Sequence, residues 1–314
     1  MPGPLPSLAR AALLGALLAA PAAAQPRAPQ LDAPGLVYRF DRDASLPLGL
    51  RADTLAAAHA LWRPAPSPRA SRTAAVLGAG AGTGVYEWVR RRHLTPRAVD
   101  PFAVTYDWGY ARWADKLGHA FSTGVQAQLW AAGYRWAGHE GRSAAALGAA
   151  TAFAGMLYYE VLDGFDRGVG FSPPDLAANA VGAGLVAARA HVPALDAVHL
   201  KWAYWPSGDD CDATCDYEGQ TTWLAVNPHR LAPEAARPFL PPWLNVAAGY
   251  GAREGDVRTG YAEHVVYLGL DLEPAGLPIQ GPVWDALVPI LRHVRVPAPA
   301  LRLGPTSGVD LLAY

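Results

Sequence analysis

The sequence predicts an α+β protein, a bundle of four small-residue helices followed by an antiparallel β region. Three observations carry that prediction. Between residues 74 and 196, segments dominated by Ala, Gly and Leu recur at helical period. Beyond about residue 197 the period falls to two: in Val198–Trp205, Leu200, Trp202 and Tyr204 alternate with His199, Lys201 and Ala203. Turn and proline clusters separate the later runs, which favours antiparallel pairing over crossover helices.

Composition narrows the class. Of 314 residues, 51% are hydrophobic and only 17% charged, against roughly 25% charged in an ordinary soluble domain. The shortage of charge argues against intrinsic disorder and suggests a bilayer or a large internal surface. The formal net charge of −1 offers no global field for nucleic acid. Lys116 and Lys201 are the two lysines in a chain that otherwise uses arginine.

Residues 1–24 read as a secretory signal, with Arg10 as the positive end, Ala11–Ala20 as the apolar run and Ala22–Ala24 as the cleavage site. An uncleaved membrane anchor is the alternative. Export places Cys211 and Cys215 in an oxidising compartment, where an even pair predicts a disulfide closing a tight loop. The acids around them, Asp209 to Asp216, could bind calcium, although a solvated, disulfide-pinned loop explains them as well. Residues 25–73 form an N-terminal extension, with a short strand at Leu36–Phe40 and a linker at Arg63–Arg72.

The four helices are expected at Ala74–Val89, Trp113–Trp136, Ser143–Asp163 and Pro173–Val192 within the bundle 74–196. Their apolar lengths are borderline for crossing a bilayer, and Ala and Gly contribute little to insertion, so hydropathy leaves immersion open. Ala146, Ala150 and Ala154, and Ala178 with Gly182, supply four-residue stripes for close helix approach. In the β region, 197–314, further strands are expected at Gln220–Val226, Trp243–Tyr250, Gly260–Leu272, Leu301–Leu303 and Val309–Tyr314. Val266, Leu268, Leu270 and Leu272 share one face. Either these strands form a sheet beside the helices, or they belong to a barrel, for which five or six strands are few.

Charge inside apolar helices marks the candidate site. Asp115, His119, Ser122 and Gln126 lie within about 60° on a helical wheel, with Lys116 roughly a quarter turn away. Glu160 and Asp163 share a face at the end of the third helix. Asp175 and Asn179 lie one turn apart in the fourth, where Ser172 and Asp175 also fit a helix cap. Buried acids and a histidine must pair with each other, with a cation or with a metal. His119 with Asp115, Glu160, Asp163 or Asp175 therefore has the donors for a divalent metal, or the base and acid of a hydrolase. The same groups could close a hydrogen-bond network that does no chemistry. No serine elbow, phosphate-cradling loop or paired-histidine zinc motif is present.

Five motifs carry a family resemblance: DKLGHAFS (Asp115–Ser122), YYEVLDGF (Tyr158–Phe165), GFSPPDLAANAVGAG (Gly170–Gly184), DYEGQTTWLAVNP (Asp216–Pro228) and PPWLNVAAGYGA (Pro241–Ala252). Their order and spacing resemble the YfiM-like family of predicted periplasmic lipoproteins, a domain of unknown function, from about residue 75 to 305. The first two are also similar to motifs of the wider VanZ-like membrane proteins. The resemblance implies an exported, periplasmic protein associated with the outer or inner membrane, and it supplies no reaction. It marks Asp115, Lys116, His119, Glu160, Asp163, Ser172, Asp175 and Asn179 as motif positions. The absence of a lipobox cysteine near the signal junction departs from the family pattern.

The expectation is a membrane-associated envelope protein with Asp115, Lys116, His119, Ser122, Glu160, Asp163, Ser172, Asp175 and Asn179 in a structural or binding network. The alternative is a hydrolase of an envelope lipid or glycan, with His119 as base. No cofactor is assured, that divalent metal being a candidate alone, and the partners expected are membrane lipid or envelope proteins.

Overall fold

A computed structural model describes residues 67–208, 212–253, 263–304 and 307–314. The expected signal segment, the Leu36–Phe40 strand and Cys211 lie outside the described residues. Four helices come first: α1 (Pro68–Val89), α2 (Ala114–Trp136), α3 (Gly141–Asp163) and α4 (Pro173–Arg189). The first starts earlier than expected, within the segment read as a linker. Ser67 accepts the amide N–H of Ala70 at 3.2 Å and Pro68 takes the first helical position; a proline that reads as loop by composition is here a helix starter. A π-helical turn, Arg90–Leu94, follows α1.

The bundle centres on α2, which packs against both α3 and α4. Contact is through backbone rather than large side chains. A Cβ on Gly148 would stand 2.5 Å from the Ala127 carbonyl oxygen, and one on Gly182 would collide with the Ala120 carbonyl. Gly182 thus plays its expected part. Ala146, Ala150 and Ala154 do not: they face outward, and the buried stripe of α3 is Ala144, Gly148 and Ala152. All these residues are small, so composition alone could not distinguish the two faces.

The β region forms one six-stranded antiparallel sheet in sequence order: β1 (Val198–Tyr204), β2 (Gln220–Val226), β3 (Leu244–Arg253), β4 (Glu263–Leu272), β5 (Ala298–Leu303) and β6 (Gly308–Ala313). Two helices interrupt it, the short α5 (Pro228–Leu231) and α6 (Pro282–Leu291). Neither was expected from the strand pattern; Pro228 and Pro282 occupy helix-starting positions. Phe121 of α2 stacks on Trp202 of β1 with ring centroids 6.1 Å apart, joining bundle to sheet.

The sheet curls until its ends meet. Ala203 of β1 and Ala313 of β6 share a buried cluster with Trp223 and Tyr267, and the Trp205 and Tyr314 rings are 5.7 Å apart. Register across the strands runs Lys201, Trp223, Gly249, Tyr267, Arg302. Gly249 is required there, since a Cβ would lie 2.7 Å from the Trp223 indole. The inner face is polar as well as aromatic. Lys201 Nζ lies 2.7 Å from Asp271 Oδ2 with both side chains fully buried. Asn245 donates to the same carboxylate at 3.0 Å, and Asn227 donates to Asn245 at 2.9 Å.

Candidate functional site

Three consecutive non-glycine residues, Ala111, Arg112 and Trp113, adopt positive φ of 48°, 52° and 70° immediately before α2. L-residues disfavour this region by about 1–2 kcal/mol each, so surrounding contacts must hold the turn. Ala111 is packed with Ala252 and Tyr217, and the Tyr250 hydroxyl donates to the Arg112 carbonyl at 2.5 Å. This turn sets the first turn of α2, with Asp115, Lys116 and His119, against α4 and the β2–β3 region.

Lys116 is the hub. Its ammonium lies 2.7 Å from Asp115 Oδ2, 2.9 Å from Asp107 Oδ2 and 2.6 Å from Asp175 Oδ1, with 5% of the side chain exposed. The quarter-turn offset expected for it does not separate it from the acids, because its four-carbon stem folds back across the helix face. Asp175 arrives from the first turn of α4, where Ser172 caps the helix by accepting the Asp175 amide at 3.1 Å. The Ser172 hydroxyl donates in turn to Asp107 Oδ1 at 2.5 Å, so the cap is also part of the cluster.

His119 faces the other edges of the same acids. Its Nε2 is 3.7 Å from Asp115 Oδ1 and 3.8 Å from Asp175 Oδ2. On the far side, Nδ1 is 3.2 Å from Asn179 Oδ1, which also accepts the Thr123 hydroxyl at 2.7 Å. The amide oxygen can only accept, so it orients Nδ1–H toward itself and turns Nε2 to the carboxylates. One donor atom each from Asp115, His119 and Asp175 lies within 4.8 Å of the others. Glu160 stands behind, its Oε1 3.7 Å from Nδ1 and its Oε2 accepting the Ser172 amide at 3.3 Å. Glu160 Oε1 and Asn179 Nδ2 are buried without a hydrogen-bond partner among the described residues.

The acids differ in character. Burial is the largest influence on Asp115 and pushes it up, but His119, Lys116 and the Tyr217 hydroxyl together hold it below the ordinary carboxylate range. Burial raises Asp175 to about 6, with the Asp115 charge adding to it. Burial likewise raises Glu160 to about 7, against the pull of His119. Lys116 is held charged, its three carboxylates outweighing its burial.

Some expected members stand elsewhere. Asp163 pairs with Arg91 Nη1 at 2.6 Å and Arg97 at 3.4 Å, in a second cluster with Asp166. Three residues after Glu160, Asp163 falls at the helix end, where the arginines after α1 reach it first. Ser122 turns back onto the His119 carbonyl at 3.2 Å, and Gln126 meets Met156 sulfur at 3.4 Å. Conversely, Asp107 and Tyr217 join the site unforeseen; Tyr217 donates to Asp115 Oδ1 at 2.8 Å. Tyr217 sits within the DYEGQTTW motif, which was the one signal for it; Asp107 carried none. Cys215 is disulfide-bonded. Around it Asp212 accepts the Thr214 amide at 3.0 Å and Asp216 the Gly219 amide at 2.9 Å, so these acids pin the loop.

Beside Lys116 a groove of about 590 Å³ opens between α2, α4, β3 and β4, walled by Leu117, Ala178, Val181, Tyr250 and His264. Among the described helices, Gly141–Asp163 is long and apolar enough to cross a membrane by length and composition.

Residues 106–191, from the approach to Lys116 through α4, match the model of a family described as a predicted periplasmic lipoprotein, DUF2279. No curated protein and no solved structure matches the chain. The segment that carries the Lys116–His119 cluster is thus similar to the DUF2279 family, and the protein is an exported, periplasmic protein of the cell envelope.

Proposed function

We propose that this protein is a membrane-associated envelope component whose helical core binds a divalent cation through Asp115, His119 and Asp175. One observation supports it above the rest. A histidine nitrogen faces two carboxylate oxygens at 3.7 and 3.8 Å while its other nitrogen is fixed by Asn179 at 3.2 Å. With His119 neutral, three lone-pair donors aimed at one space repel unless a positive charge lies between them, and an oriented second nitrogen is the usual support of a histidine ligand. Lys116 takes the opposite carboxylate edges and sets their orientation.

Elemental analysis of protein purified without chelator tests this. Wild type carries roughly one divalent ion per chain, and His119→Ala and Asp175→Asn fall to background, as loss of a ligand demands. Equal, negligible metal in all three ends the proposal.

A hydrolytic role uses the same donors, and the apolar walls of the groove at Lys116 favour an envelope lipid over a glycan as its substrate. Metal-loaded wild type would then release water-soluble product from phosphatidylglycerol vesicles and His119→Ala would not. Absence of release from both leaves the cation site standing and removes the hydrolase.

A further inference from the structure

The sheet is inside out for a protein that meets only water. A water-exposed antiparallel sheet turns its polar residues outward and its apolar residues toward a core. Here Lys201, Asn245 and Asp271 are buried on the inner face, while Val246, Leu268, Leu270, Leu301 and Val309, on the outer face, are 47–65% exposed.

Register joins these outward residues into one surface. Val246 is opposite Leu270, Ala248 opposite Leu268, Leu268 opposite Leu301 and Leu301 opposite Val309. The outward positions of β3–β6 carry no Asp, Glu, Lys or Arg among the described residues; Tyr250 and His264, toward one end, are the polar exceptions. Helix α2 packs on the outer face at β1, through Phe121 on Trp202, and also meets β2 and β3.

We infer that the outer wall of β3–β6 is seated in the hydrocarbon of a lipid bilayer. Three features select acyl chains as the occupant. The wall is charge-free over its length while the charges of the same strands point inward, which is the polarity of a membrane barrel. β3 and β4 have 10 residues each, within the roughly 9–11 of a membrane-spanning strand. Trp243, exposed just before β3, and His264 at the opposite end suit the headgroup layers that border hydrocarbon. The same wall continues through Tyr250 and His264 into the apolar groove that reaches Lys116. The inference rests on the membrane association proposed above and assigns the surface responsible for it.

Flotation of the purified full chain with phosphatidylethanolamine–phosphatidylglycerol vesicles tests it, alongside Leu268→Asp and Leu301→Asp. Wild type floats, and each variant loses roughly tenfold or more of its vesicle-bound fraction, as a charge on a lipid-facing strand position should cause. Near-UV circular dichroism in the absence of vesicles verifies that both variants remain folded. Leu268→Cys labelled with bimane gives a second measurement that introduces no charge, and brominated acyl chains quench it. If wild type floats while the variants float equally and the bimane is unquenched, membrane association stands and this wall is not its surface. If wild type stays in the dense fraction, as it would were the wall covered by a second copy of the chain, both readings are overturned.

Discussion

Lys116 and Lys201, the chain's two lysines, each end in a buried acid cluster: Lys116 among Asp107, Asp115 and Asp175, Lys201 against Asp271. A compact ammonium on a flexible stem can serve several carboxylates at once, whereas the planar guanidinium demands room for its fork. Lys116→Met should therefore leave three crowded carboxylates uncompensated and cost on the order of 3–5 kcal/mol in urea unfolding. A loss below about 1 kcal/mol would show that the acids discharge by taking up protons instead. At this scale much of the site was legible. Asp115 and His119, then Asp175 and Asn179, follow from helical spacing, because side chains one turn apart must share a face. Asp107 and Tyr217 were not, since both lie outside the long helices and only the fold carries them to the site.

At the scale of elements, the helices follow from local rules. Ser67–Pro68 and Ser172–Pro173 mark true starts, through side-chain caps and a proline whose missing N–H costs nothing there. Helix packing obeys the small residues, though not all the stripes that spacing suggested. Gly182 is the sharpest case, because the atoms its Cβ would meet are Ala120 and Gly124 backbone, which cannot move aside. Gly182→Ala should lower stability by about 1–3 kcal/mol, read as a fall in denaturation midpoint with unchanged slope; an unchanged midpoint would mean that α2 and α4 can separate freely. Asp163 teaches the complementary lesson. Its face was predictable from its spacing to Glu160, but its partner Arg91 comes from the π-helical turn after α1, and no periodicity foretells such a turn.

For the molecule as a whole, stability depends on how bundle, sheet and the strand edge at β1 are locked together. His293 lies there, its ring 6.3 Å from Phe121 of α2, and its carbonyl accepts the Trp202 amide at 2.9 Å. Burial, reinforced by the charges of Arg189, His199 and Lys201, pushes its imidazole from 6.5 down to about 4. The folded state thus prefers the neutral ring, so the stability tied to it is present above pH 6.5 and is lost as pH falls from 6.5 toward 4. The shift implies a loss of up to about 3 kcal/mol across that window, and His293→Gln should flatten it. Burial pushes Glu273 up, but the His199 and Arg292 contacts overcome it and depress it to about 2, so it acts at lower pH; Asp175 and Glu160, raised to about 6 and 7, gain stability across the same window, so the difference between wild type and His293→Gln isolates the ring. An identical pH dependence of stability in wild type and His293→Gln between pH 6.5 and 4 would overturn the assignment.

The sequence by itself determined the α+β class, the order of four helices before six strands, and the polar stripes at Asp115–His119 and Asp175–Asn179. Each is a matter of short-range period and capping, where neighbours along the chain are also neighbours in space. The tertiary structure decided which acids meet His119 and that Lys116 ties Asp107 to Asp175. It also decided which face of the sheet is outside. Period two shows that two faces differ without saying which one is enclosed, and only the curl that brings Ala203 to Ala313 closes the charges in and turns the leucines out.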